Sequence, residues 1–282
     1  MNKVRTAFLL GLMFALFMGV GYLIGGESGM FIAFFIALLM NGISFFYSDK
    51  IALSMFRAKE VSESEAPQLH RIVEELATEA GIPKPRVYIS NIEVPNAFAT
   101  GRSPKHSAVA VTKGLLEILD QNEIKGVLAH EIAHIANRDI LISSLAAVIA
   151  SAIAMLARVA YFANIFGGDN KGGGIGNLLA TLIMIIITPI LAMIIQLAIS
   201  RTREYVADEK GAKLARNPLY LANALRKMDA YAKMKPVTEN EINPAATHML
   251  IINPFKKGGL AALLSTHPPI EKRIEKLEAM AY

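Results

Sequence analysis

Two uncharged apolar runs, residues 7–24 and 30–47, are separated only by a stretch containing GGESG. Each is long enough to cross a bilayer core as a helix, for which roughly 20 residues suffice. A cleaved signal sequence would carry a small-residue cleavage site ahead of a secreted domain; here a second apolar run follows at once. The pair therefore reads as a transmembrane hairpin. Two further blocks, residues 140–162 and 178–199, read as a second hairpin across the glycine-rich connection NIFGGDNKGGGIGN. That connection joins two apolar helices rather than a strand to a helix, so a flexible loop is a better reading than a phosphate cradle. Arg158 lies near the end of its block, where it can snorkel to the interface. Pro189 predicts a kink of a kind that membrane helices tolerate.

Basic residues set the orientation. Lys3 and Arg5 precede the first span; Lys50, Arg57 and Lys59 follow the second; Arg201, Arg203 and Lys210 follow the fourth. The opposite loops hold only Lys171. Lys and Arg accumulate on the cytoplasmic side, so both termini and both large polar segments are expected there, on the inner face of a cytoplasmic membrane. These flanking residues account for the net charge of +5, and no nucleic-acid partner is needed to explain it. The 282 residues include no cysteine, which excludes a disulfide framework and a cysteine zinc site. Any metal ligands must be His, Asp or Glu.

The expected organisation is a hairpin (1–47), a first cytosolic half (48–139), a second hairpin (140–199) and a second cytosolic half (200–282). The two halves are together large enough for one globular domain. PRVYIS (85–90), NAFAT (96–100) and SAVAVT (107–112) read as short strands. Residues 65–80 read as an amphipathic helix with Ser64 as its N-cap and Pro67 in its first turn. A second helix starts near Thr112. A third opens at DQNE, where Asp120 and Glu123 have capping-box spacing. Residues 200–215, 218–234 and the closing PPIEKRIEKLEAM read as further helices. The fold class is α+β: mostly helical, with four transmembrane helices and a small sheet in the cytosolic domain.

The third of those helices carries His130-Glu131-Ile132-Ala133-His134. Residues four apart stack on one helix face, so the two imidazoles project to one point, as zinc ligation requires. Zinc lowers the pKa of a coordinated water to about 7. Glu131, next to the first ligand, is placed to take the proton of an attacking water and pass it to a leaving amine. A surface helix with two hydrogen-bonded histidines is the plainer alternative. Catalytic zinc needs a third protein ligand. The extension that supplies a third histidine has Gly and His where this chain has Asn137 and Ile140, so it is excluded. Glu204 follows the fourth span by five residues, and His134 precedes the third by six. A helical hairpin returns its ends to one membrane face, so Glu204 is preferred over Glu209, Glu271, Glu239 and Glu241. Asp208, one turn on, can accept the free imidazole N–H of a ligand histidine. His267, Arg273, Arg201 and Tyr205 all remain candidates to support an oxyanion. Asn96, Ala97, Phe98 and Ala99 are a candidate edge for a peptide added as a strand. His70, His106 and His248 have no ligand spacing.

PNAFATG, HEIAHIANRD, SRTREYVAD and STHPPIEKRIEKL together resemble the HtpX family of membrane-bound zinc metalloproteases, over nearly the whole chain. The resemblance implies one zinc ion held by His130, His134 and Glu204, with Glu131 as the catalytic glutamate. It implies a gluzincin-like cytosolic protease domain that degrades misfolded or damaged membrane proteins, with polypeptides and the lipid bilayer as partners. It points to Asn96, Ala97, Phe98 and Ala99 as a substrate-binding strand, and to His267 and Arg273 as site residues. The CAAX-prenyl-protein endopeptidases share the zinc motifs, but carry more spans than this sequence has. A transporter would place ionisable residues deep in the spans, and a non-catalytic scaffold leaves Glu131 without a purpose.

Overall fold

A computed structural model describes residues 2–142, 144, 201–235, 249–252 and 268–281. Most of the second apolar block pair, with Arg158, Pro189 and the glycine-rich connection, lies outside the described residues, as does His267.

Helical backbone runs from Asn2 to Met55 (α1), but not in a straight line. Asn41 Nδ2 donates to the Leu10 carbonyl at 3.4 Å, and the rings of Phe14 and Phe34 lie 5.8 Å apart. In a straight helix, residues 10 and 41 would be about 46 Å apart at 1.5 Å per residue. Within GGESG, Gly26 takes φ +58°, a left-handed conformation that costs glycine nothing. There the helix doubles back on itself. Among the described residues one stretch, Gly26–Met55, is long and apolar enough to cross a membrane. Phe31, Ile32, Phe35, Leu39 and Phe46 along it are each more than half exposed.

Beyond α1 the chain builds a four-stranded mixed sheet of β1 (Ala58–Glu60), β2 (Arg86–Ser90), β3 (Ala97–Ser103) and β4 (His106–Thr112), in the order β1-β2-β4-β3. β4 pairs parallel with β2 and antiparallel with β3, leaving β3 as an edge. Side chains alternate between faces. Tyr88, Phe98, Ala108 and Ala110 pack on Ala52, Leu53 and Phe56 at the end of α1, with Met249 and Leu250. Val87, Ala97, Ala99, Val109 and Val111 face the main helical core. Thus the end of the apolar helix forms one layer, the sheet the middle and the remaining helices the third. β1 has no counterpart in the sequence reading; three residues are too few to display an alternation.

The third layer comprises α2 (Pro67–Glu79), α3 (Lys113–Ile118), α4 (Gln121–Ala136), α5 (Arg201–Ala215), α6 (Pro218–Met234) and α7 (Ile270–Ala279). α2 starts at Pro67 rather than residue 65: Pro occupies the first helical position and Ala66 the cap, so Ser64 does not cap it. The α4 capping box forms in full, with Asp120 accepting from the N–H groups of Asn122 and Glu123 while Glu123 accepts from that of Asp120. α4 is central, with α2, β3, α5 and α6 packed around it. Most of its residues are buried, so His130 and Glu131 project into protein rather than bulk water, with His134 partly exposed beside them.

Candidate metal centre

His130 Nε2 and His134 Nε2 lie 3.2 Å apart, with their rings perpendicular. Glu204, in the first turn of α5, brings Oε2 to 3.6 Å from His130 Nε2 and Oε1 to 3.4 Å from His134 Nε2. Four ligands around zinc at about 2.0–2.1 Å stand roughly 3.3–3.4 Å from one another in a tetrahedron. The three observed separations are edges of that size, so these donors fit a zinc ion that retains one open position. Among the described residues they are the one cluster with metal-holding geometry.

Charge agrees with shape. Glu131, Glu204, Asp208 and Asp139 are all buried here, and the guanidinium groups of Arg273 and Arg203 pair with two of them. Buried carboxylates thus gather around the two imidazoles, a field that favours a cation. His134 registers the same field. Burial alone would lower its pKa, but Glu204, Asp139 and Glu131 outweigh burial and raise it to about 9.

Each imidazole has a carboxylate behind it. His130 Nδ1 lies 2.9 Å from Asp208 Oδ1, leaving Nε2 for the metal. Arg273 grips Asp208 with two hydrogen bonds, from Nε at 2.8 Å and Nη2 at 2.6 Å. Burial works to raise the Asp208 pKa, yet Arg273 and His130 hold it far below the usual carboxylate range. Burial also disfavours the charge on Arg273, but Asp208, with Glu204 and Glu131 behind it, raises its pKa above the ordinary value. Arg273 is fully buried and points at Asp208, so it acts here through that carboxylate and on His130. His134 Nδ1 lies 3.3 Å from Asp139 Oδ2, and Arg203 Nη1 donates to Asp139 Oδ1 at 2.5 Å.

Glu131 Oε2 accepts a 2.7 Å hydrogen bond from the backbone N–H of Ala99, so the free side of β3 faces the glutamate. Ala97 and Ala99 lie on the strand face toward α4, whereas the Phe98 ring stacks against Phe56, 4.4 Å between centroids, on the other face. Asn96 is fully buried and its amide is already engaged: Nδ2 donates to Met249 O at 3.1 Å and Oδ1 accepts from Ile251 N–H at 2.9 Å. It fastens the start of the edge strand to a segment more than 150 residues later. The Lys276 ammonium lies over the Tyr205 ring, 3.6 Å from its centroid, a contact with the ring face rather than the hydroxyl. Arg201 opens α5. Of the rival ligands, Glu209 pairs with Lys213 on the surface and Glu271 is exposed, while Glu239 and Glu241 lie outside the described residues.

Asp139 is absent from the sequence reading, and Arg203 enters it only as a charge flanking the fourth span, not as a site residue. Their signal was the acidic residue closing HEIAHIANRD and the arginine preceding Glu204, one at each edge of the second apolar pair.

A model of Peptidase family M48 matches residues 63–281. A protein described as Protease HtpX homolog from Persephonella marina is 55% identical over 100% of this chain and 98% of its own. Another so described, from Pyrococcus furiosus, is 54% identical over 99% of this chain and 96% of its own. The crystal structure of S. mikatae Ste24p superposes with a TM-score of 0.51 at 19% identity, covering 98% of this chain. This chain spans 65% of that structure's length, and the likeness is one of fold. The chain belongs to peptidase family M48.

Proposed function

We propose that this metallopeptidase is a zinc-dependent endopeptidase embedded in the cytoplasmic membrane by four helical spans, with both termini and the active site on the cytoplasmic side. The reading is carried by the triangle of His130 Nε2, His134 Nε2 and the Glu204 carboxylate, with edges of 3.2–3.6 Å, beside the buried Glu131. When bound, zinc lowers the pKa of water and polarises a carbonyl. Glu131 accepts the proton of the attacking water and delivers it to the leaving amine. Asp208 and Asp139 hold the two imidazoles in the tautomer that offers Nε2. The substrate lies extended along the free edge of β3 near Ala97 and Ala99, with its scissile bond toward Glu131. Asn96 anchors that strand. Oxyanion support falls to His267, Arg201 or Tyr205, since Arg273 is bound to Asp208.

The exposed apolar side of Gly26–Met55 and the Lys and Arg flanking the apolar blocks support the membrane placement. A site at the bilayer surface suits misfolded or damaged membrane proteins as substrates. The test is zinc content and casein cleavage by the detergent-purified protein. Glu131→Gln is expected to retain zinc and lose cleavage, and His134→Ala to lose both. Full cleavage by the Glu131→Gln protein, or parental zinc affinity after His134→Ala, sinks the assignment.

A further inference from the structure

Two side chains outside the predicted site stand at the neck of the second apolar block pair. Asp139 immediately precedes that block, and Arg203 follows it four residues after its end. They are 64 residues apart in sequence and joined by a 2.5 Å contact. Nearby, Lys210 Nζ donates to Asn137 Oδ1 at 3.0 Å, a second tie between the end of α4 and α5.

The local backbone delivers Asp139 to this place. α4 ends in a Schellman-type turn: the Arg138 N–H bonds Ile135 O and the Asp139 N–H bonds His134 O. Such turns need a left-handed residue after the cap, usually glycine. Here Arg138 fills it with φ +60°, which an L side chain adopts only at a cost. The turn reverses the chain, so that Asp139 returns to the last turn of α4 with its carboxylate beside His134 Nδ1. Burial encloses that carboxylate, and Arg203 balances its charge.

We propose that Asp139 and Arg203 are a positioning pair for the metal ligand His134, and that by tying the chain just past α4 to the start of α5 they set zinc affinity. The proposal rests on the zinc site above. Asp139 fixes the imidazole so that Nε2 faces the metal, and Arg203 fixes Asp139. Arg203 also neighbours Glu204, so drawing Asp139 and Arg203 together brings the third ligand toward the two histidines. The arrangement parallels His130–Asp208–Arg273, with one difference. The Arg273 pair joins α5 to α7, whereas the Asp139–Arg203 pair joins the two stretches of chain that flank the second apolar block pair.

The test uses the full chain in detergent, with zinc affinity measured by competition against a chromogenic chelator, absorption of the cobalt-substituted protein, and melting temperature with and without metal. Variants are Asp139→Asn, Arg203→Gln, their double, and Arg203→Lys. Loss of such an outer partner typically weakens metal binding 10–100-fold. Asp139→Asn is expected to weaken zinc by at least 10-fold and to alter the cobalt spectrum, while the melting temperature without metal stays near that of the parent. Arg203→Gln weakens zinc less, the double no more than Asp139→Asn alone, and Arg203→Lys recovers part of the loss. Parental affinity and an unchanged cobalt spectrum in Asp139→Asn overturn the proposal, as does an equal fall of melting temperature with and without metal, which marks a purely structural pair. A parent that binds no zinc overturns instead the reading on which the proposal stands.

Discussion

Gly211 lies in the middle of α5, where Ala would ordinarily be the better residue by about 1 kcal/mol. Replacing it with Ala is expected to do the opposite. α5 crosses α4 at His130 so closely that a Cβ on residue 211 would sit 2.8 Å from His130 N, 2.9 Å from its Cα and 3.0 Å from the Ala129 carbonyl carbon. All three are backbone atoms of a buried helix and have no rotamer to change. Ordinary contact begins near 3.4 Å, so the helices must part by about 0.6 Å. Forcing an extra methyl into a packed interior costs about 1–3 kcal/mol, which exceeds the gain in helix propensity. The larger effect falls on the site. Asp208 and Glu204 lie one and two turns before Gly211 on the same helix, and metal–ligand distances tolerate only about 0.2 Å. A 0.6 Å displacement therefore takes Glu204 out of bonding range or tilts the helix to keep it. The expected result for Gly211→Ala is a zinc affinity at least 10-fold weaker by chelator competition, and a melting temperature lower by roughly 4–8 °C, from a packing cost near 3 kcal/mol less about 1 kcal/mol of propensity at 2–4 °C per kcal/mol. A variant that melts at or above the parent temperature with unchanged zinc affinity would refute the close-packing argument.

Two further expectations follow from the buried polar contacts. Arg273→Met strands the Asp208 carboxylate in the interior, at a cost of about 3–5 kcal/mol; adding Asp208→Leu removes the orphaned charge and recovers much of the melting temperature, yet zinc affinity stays at least 10-fold below parent because His130 has lost its partner. If the double variant binds zinc normally, Asp208 does not orient His130. Asn96→Ala leaves Met249 O and Ile251 N–H unpaired, with an expected loss of about 2–4 kcal/mol in thermal melting and zinc affinity within threefold of the parent; an unchanged melting temperature would show that the clamp holds nothing.

What the sequence disclosed was what is encoded locally. The α4 capping box, the i, i+4 histidines and the proline at the start of α6 each rest on neighbours within a turn, and each appears as expected. The strand at residues 107–112 was legible because SAVAVT alternates; its order in the sheet was not, since pairing of β4 with both β2 and β3 is a long-range choice. Asp208 was within reach because it shares a helix face with Glu204. Asp139 was not, because no periodicity extends past a helix end, and its return to His134 depends on Arg138 accepting a left-handed conformation normally reserved for glycine. Asn96 was assigned to substrate for a related reason. Its partners, Met249 and Ile251, lie in an irregular segment that no pattern connects to an edge strand.

The placement of the site at the mouth of an apolar insertion has an energetic logic on the proposed topology. Joining His134 to Glu204 in a soluble chain closes a loop of about 70 residues, and at (3/2)RT ln n that closure costs roughly 3.8 kcal/mol plus a constant. A helical hairpin fixed across a bilayer returns its two ends to one face before any metal arrives, so insertion into the membrane meets this cost rather than zinc binding. The remaining alignment is short-range: the Asp139–Arg203 contact at the neck, and the close approach of α5 to α4 at Gly211. Both act within a few ångströms of the ligands, where small changes decide whether three donors make edges of 3.2–3.6 Å or miss. On that topology, a motif split by 70 residues gives a site with local geometry because the membrane performs the long-range closure.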